Sequence, residues 1–200
     1  MNEPIFTIHK TARYAKTQTT DAHEPRWLRC RARRTAGWIG TIGSDLPLGE
    51  FMGNLLETSD TMILGSKTTN EIVSYWENVA ENEPDSPEQP VAQKMVRMRK
   101  IAFSKRQSTI SGKNVTVENG DIVSAVNQLK NEDGKDIIVY GGAQFVSALI
   151  EHDLIDEYNL FINPISLGNG LSIFKGKKYL KLAKSVVYRS GIVVNTYIKG

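Results

Sequence analysis

From residue 47 to the end, short β-favouring apolar runs alternate with segments whose apolar residues recur every three or four positions, and this leaves few folds open. "PLGEFMGNLLETS" (47–59) sets Leu48, Phe51, Met52, Leu55 and Leu56 at helical spacing. "DTMILG" (60–65) reads as a strand ended by glycine, and "KTTNEIVSYW" (67–76) as a helix. "ENVAENEPDSPEQP" (77–90), acidic and holding three prolines, is expected to be an exposed loop. A helix over 91–98, strands at "KIAFS" (100–104) and "NVTVE" (114–118), and an amphipathic helix at "DIVSAVNQLKN" (121–131) capped by Asp121 follow. "DIIVYGGAQF" (136–145) carries a strand into a helix from about 142 to 151, and "DEYNLFINPI" (156–165) is another strand. The last run, "LKLAKSVVYRSGIVVNTYIKG", alternates on either side of Ser190-Gly191, a hairpin signal. Strands separated by helices need crossover connections, so the chain is expected to be α/β. The sheet is read as mostly parallel, with helices on both faces and an antiparallel C-terminal hairpin.

Two hundred residues suit one domain, or one domain and a tail. No apolar run approaches the roughly 20 residues that span a bilayer, and the start lacks the layout of a signal peptide, so a cytoplasmic protein without membrane contact is expected. Cys30 is the only cysteine, and His9, His23 and His152 are scattered. No internal disulfide and no metal site are therefore expected. The net charge of +3 is unevenly spread, because residues 1–40 carry eight Lys/Arg against three Asp/Glu. Arg26, Arg29, Arg31, Arg33 and Arg34 stand close together, yet neither a period of two nor one of 3.6 holds across residues 8–34. Residues 1–34 are accordingly read as a basic segment, disordered or atypical. Nucleic-acid contact is the lesser reading, since nothing orders the arginines against a phosphate backbone.

In open α/β sheets, ligands bind beyond the carboxyl ends of strands, where helix N-termini present unpaired N–H groups. Three such junctions stand out. Gly141 and Gly142 follow the strand at 136–140, where absent Cβ atoms let a phosphate approach the backbone or simply permit a tight turn. "ILGSKTT" (63–69) repeats the theme with Gly65, Ser66, Lys67 and Thr68, although Thr68 or Thr69 also suit helix capping. "IAFSKR" (101–106) ends a strand with Ser104, Lys105 and Arg106, a hydroxyl and two cations suited to a phosphomonoester dianion.

The order of "DTMILGSKTT", an aromatic-rich helix to Trp76, "RKIAFSKR" and "DIIVYGGAQFVSALIEHDLIDEYNLFINPISLGNGLSIF" resembles the dihydrofolate reductase-like superfamily. It is most similar to the branch containing the reductase domain of riboflavin biosynthesis and many stand-alone reductases. The resemblance covers roughly residues 37–200, so a reductase domain over 35–200 is expected, with the superfamily's three-layer fold. It implies an NADPH-dependent oxidoreductase acting on a small heterocyclic or carbonyl substrate, and a homodimer, as is common in that branch. A non-catalytic nucleotide-binding protein that retains the fold is the alternative. By the family pattern Gly65, Ser66, Lys67 and Thr68 meet phosphates, Ser104, Lys105 and Arg106 surround the adenosine 2′-phosphate, and Tyr140, Gly141, Gly142, Ala143, Gln144 and Phe145 pass beneath the pyrophosphate and nicotinamide ribose. Ser66 departs from the pattern, because a basic residue is common there; Lys67 next door supplies the charge.

Hydride transfer to C=N or C=O leaves the heteroatom in need of a proton. In dihydrofolate reductases a carboxylate on the helix before the glycine-ended strand holds the pterin, and Glu50 of "LPLGEF" stands at a similar spacing, which makes it the candidate acid. Upstream the chain departs further. The family's first strand ends in S-x-D-G followed by an aromatic and a small residue, whereas "RRTAGWIGTIG" places Ala36 in the aspartate slot while Gly37, Trp38, Ile39 and Gly40 fit the rest. Trp38 and Ile39 are expected to border the nicotinamide. Because "EPRWLRCRAR" lacks the alternation of a central strand, three explanations stay open: residues 26–34 enter the sheet regardless, another chain or element fills the place, or the segment is an altered reading of a once normal start.

Overall fold

The computed structural model describes residues 5–8, 46–164 and 172–200. After β1 (Ile5–Ile8), helix α1 (Leu46–Thr58) runs directly into β2 (Ser59–Gly65), which hands over to α2 (Ser66–Asn82) at a glycine. Helix α3 (Gln89–Arg97), β3 (Arg99–Phe103), β4 (Val115–Glu118), α4 (Ile122–Lys130), β5 (Asp136–Val139) and α5 (Ala143–Glu151) continue the alternation. Strand β6 (Glu157–Ile162) and the hairpin of β7 (Leu180–Val187) and β8 (Val193–Lys199) complete it. The eight strands form one sheet in the order β4-β3-β2-β5-β1-β6-β8-β7.

Alternation of side chains along the strands builds two apolar layers. Met62 and Leu64 of β2 and Ile138 of β5 face Leu56 of α1, Trp76 and Val79 of α2, and Ala92 and Met95 of α3. Ile63, Ile137 and Val139 face the other way, onto Val126 and Leu129 of α4 and Val146, Leu149 and Ile150 of α5. Both faces of β2 and β5 are thus covered, as parallel strands require. Each fully buried aliphatic side chain contributes about 1.5–3 kcal/mol. Among the described residues no helix is long and apolar enough to cross a membrane.

The α/β class, the helices on both faces and the terminal hairpin match the sequence reading. Gly191 takes φ +81° at the hairpin turn, a conformation that favours glycine. Asp121 caps α4, its carboxylate accepting the Ser124 N–H at 2.8 Å. Two expectations need correction. Residues 77–82 are not loop but the last turns of α2, because buried Val79 continues the apolar stripe of Thr69, Val73 and Trp76; helix α3 likewise starts early, at Gln89. The loop shrinks to residues 83–88, and the Gln89 side chain donates to the carbonyls of Val79 and Glu83 at the end of α2.

The second correction concerns the N-terminal segment. Ile5–Ile8 is a strand lodged between β5 and β6 and antiparallel to both, with Thr7 and Ile8 buried. Another element therefore fills the central place that "EPRWLRCRAR" is too polar to fill. Four residues are too few to show a period, which hides this strand from pattern reading. The rest of residues 1–34 lies outside the described residues. The sheet is consequently parallel over β4-β3-β2-β5 and antiparallel at β5-β1, β1-β6, β6-β8 and β8-β7.

Candidate functional site

Strand β2 lies between β3 and β5 and is parallel to both, so the carboxyl ends of three strands stand side by side. Gly65 is in register with Phe103, and Ile63 with Val139; the Tyr140 N–H donates to the Ile63 carbonyl at 3.1 Å. The three junctions singled out in the sequence thus share one edge of the sheet.

The β2–α2 and β5–α5 junctions touch directly. Lys67 Nζ donates to Gln144 Oε1 at 3.0 Å, joining residues that begin the two helices. Gly141 and Gly142 take φ +89° and +74°, which L-residues rarely adopt. A Cβ on Gly142 would project into the gap between the helix starts, 3.6 Å from Thr68 Oγ1. Neither helix has an acidic residue in its first turn, and neither N-cap, Gly65 or Gly142, supplies a side-chain cap. The first N–H groups of both helices are left with no side-chain acceptor from the cap residue, and with Lys67 beside them the corner is electropositive. Thr68 and Thr69 do not cap: both hydroxyls donate back to the Gly65 carbonyl, at 3.1 and 3.0 Å. Gly65 has a different reason to be glycine, since a Cβ there would meet Phe145 Cβ at 2.8 Å.

Phe145 joins the third junction to the other two. Its ring lies 5.3 Å from that of Phe103, at the end of β3, while its Cβ backs onto Gly65. The side chain therefore acts as a spacer between the strand ends, and Phe103 is a contributor that the sequence reading missed. Its signal was only its place immediately before "SKR". Beyond Phe103, buried Ser104 accepts the N–H groups of Arg106 at 3.2 Å and Gln107 at 3.0 Å, and Lys105 and Arg106 are exposed. Asn119, also missed, donates to the carbonyls of Ser104 and Gln107.

Glu50 is exposed on α1. The adjacent Phe51 packs edge-on against Phe161, near the end of β6, with ring centroids 5.9 Å apart. β6 is antiparallel to β1, as β5 is, so the helical turn carrying Glu50 lies toward the carboxyl ends of the co-directional strands. Trp38, Ile39 and the Ala36 slot lie outside the described residues, as does most of the "PISLGNG" run. No group of three or more His, Cys, Asp and Glu among the described residues is placed to hold a metal ion.

Residues 16–194 match the model of the RibD C-terminal domain. The uncharacterised protein YyaP of Bacillus subtilis (strain 168) is 31% identical over 156 residues, covering 76% of this chain and 79% of YyaP. A protein of Shewanella sp. PV-4 described as a candidate riboflavin biosynthesis protein superposes with a TM-score of 0.56 at 21% identity, covering 74% of this chain and 77% of its own. The diaminohydroxyphosphoribosylaminopyrimidine deaminase/5-amino-6-(5-phosphoribosylamino)uracil reductase of Thermotoga maritima gives 0.53 at 13% identity, over 77% of this chain and 49% of that longer one. These structural likenesses concern the fold. The family match extends over all three strand-end junctions, and the chain belongs to the RibD C-terminal domain family.

Proposed function

We propose that this protein is an NADPH-dependent reductase of a small heterocyclic or carbonyl substrate, dihydrofolate-like or pyrimidine-like, working as a homodimer. Membership of the RibD C-terminal domain family supports a reductase-type function. The observation that carries the cofactor reading is the Lys67–Gln144 hydrogen bond between two glycine-preceded helix starts with no acid in either first turn. That donor set suits a pyrophosphate: N–H groups from two helices, an ammonium, and no Cβ at Gly142. The exposed cations Lys105 and Arg106 at the neighbouring strand end suit a 2′-phosphate.

When bound, NADPH supplies the hydride. The chain's own work is to hold the phosphates at the two helix starts, to keep the strand ends spaced through Phe145, and to deliver a proton to the substrate's heteroatom. Glu50 is the proposed source of that proton. Titration with NADPH and with NADH, followed by nicotinamide fluorescence, tests the cofactor. Loss of nicotinamide absorbance on adding dihydrofolate or a pyrimidine substrate then tests turnover. Tight NADPH binding with no substrate oxidising it would favour a non-catalytic nucleotide-binding protein, and absence of binding would remove both readings.

A further inference from the structure

We propose that Asn119 is a specificity-determining positioning residue: by fastening the Ser104–Gln107 turn it presents Lys105 and Arg106 together and so sets the preference for a dinucleotide bearing a 2′-phosphate over one without it. The inference rests on the reductase reading above. Asn119 immediately follows β4, whose last residue, Glu118, is in register with Phe103 and accepts the Ser104 N–H at 3.0 Å. Its backbone is therefore fixed by the sheet and not by the turn. From there Nδ2 donates to Ser104 O at 2.6 Å and to Gln107 O at 2.8 Å, the two ends of the turn. Inside the turn, Ser104 Oγ accepts from the N–H groups of Arg106 and Gln107.

This fastening has a physical purpose. Two adjacent cations repel each other, so an unrestrained turn relaxes by splaying them. Two carbonyl oxygens facing one another repel as well, and a single amide group shared between them reverses the sign of that contact. The nearest carboxylates along the chain are each engaged by local donors. Glu118 Oε1 accepts the Gly120 N–H at 2.6 Å, and Asp121 Oδ2 accepts both Ser124 N–H and Oγ–H, at 2.8 and 2.9 Å. A dianion that accepts from a guanidinium and an ammonium at once gains most when both are held in place beforehand.

The test compares Asn119→Leu, which keeps the size and removes the donor, with wild type and with Arg106→Ala. For Asn119→Leu the Kd for NADPH is expected to rise about tenfold while that for NADH changes less than twofold, the loss of two hydrogen bonds being felt only by the 2′-phosphate. Equal changes for both dinucleotides, or none for either, would overturn the proposal. If wild type binds NADH as tightly as NADPH there is no preference for Asn119 to set. If wild type binds neither, it is the cofactor reading that fails. Should Asn119→Leu not fold, the Asn119 side-chain amide resonances in wild type decide: they are expected to shift with adenosine 2′-phosphate and not with adenosine 5′-phosphate, and their indifference to both would refute the role.

Discussion

Replacing Gly142 by alanine separates the two readings of the double glycine after β5. The residue has φ +74° and ψ 95°. An L-residue held at positive φ costs about 1–3 kcal/mol. The added methyl group also stiffens the unfolded chain, which offsets about 0.4–1 kcal/mol. No steric cost is added, because the new Cβ would meet Thr68 Oγ1 at 3.6 Å and Phe145 Cβ at 3.7 Å, both ordinary contacts. The net loss is about 1–2 kcal/mol, or roughly 2–8 °C in Tm for a domain of this size. Gly65→Ala loses stability by another route: φ is −80°, so the backbone tolerates alanine, but its Cβ would lie 2.8 Å from Phe145 Cβ and α5 would have to move. In Gly142→Ala the methyl group would stand between the two helix starts, where a pyrophosphate is proposed to rest, and NADPH affinity is expected to fall at least about tenfold. Urea denaturation and NADPH titration on the same preparations read both effects. Stability within about 0.5 kcal/mol of wild type would refute the conformational reasoning. Lost stability with intact NADPH affinity would show that the glycine serves the turn alone.

Four further outcomes are expected. Lys100 is buried with its ammonium donating to the carbonyls of Met95, Val96 and Met98 at the end of α3, and burial brings its pKa down to about 8 from 10.5. The folded protein therefore releases this proton before the unfolded chain does, so between pH 8 and 10.5 wild type should gain about 1–3 kcal/mol relative to Lys100→Met; parallel urea-stability curves for the two proteins would contradict it. Burial pushes the Asp156 carboxyl up, but Lys130 at 2.7 Å and Lys199 at 3.0 Å outweigh it and hold it below the usual carboxylate range. That stabilisation is complete above about pH 4 and is lost as pH falls through the lowered folded value, so Asp156→Asn should cost about 2–3 kcal/mol at pH 7 and progressively less in acid, read by thermal melts. Glu50→Gln should lower turnover about 10²-fold or more in steady-state kinetics while leaving the Kd for NADPH unchanged. Thr7 Oγ1 is buried with no hydrogen-bond partner among the described residues, so Thr7→Val, which keeps the shape, should stabilise by about 1 kcal/mol in urea denaturation.

The elements that place the candidate site were legible because each is long enough, or punctuated enough, to show its character. Met62, Ile63 and Leu64 are a continuous apolar run that only a strand covered on both faces can bury, and Gly65 marks its end. What the sequence could not show was the division of labour within each junction. Thr68 looks like a phosphate ligand or a cap, and its hydroxyl does not cap, since its proton goes to Gly65 O. Phe145 looks like part of a binding motif and is the spacer beneath it. Asn119 lies twelve residues from Gln107, and nothing local marks it as the clasp of the basic turn. Contacts made across the sheet leave no period behind them.

The N-terminal strand shows the converse. Strands β5 and β6 are buried, and with nothing between them each would leave a row of backbone groups unpaired, a loss too large for a domain whose net stability is about 5–15 kcal/mol. A strand was therefore required at that position whatever the upstream sequence offered. Ile5–Ile8 meets the requirement with Ile8 fully enclosed, but imperfectly: it runs against both neighbours, and it buries the Thr7 hydroxyl with no hydrogen-bond partner among the described residues. The parallel block β4-β3-β2-β5 meets this strand only at its edge, where β5 pairs with β1; the three parallel ladders themselves close within the block. The three strand-end junctions, where a dinucleotide is proposed to bind, all belong to that block. An irregular central strand therefore reaches these junctions only through β5, and the parallel registers of β2 with β3 and of β3 with β4 do not depend on it.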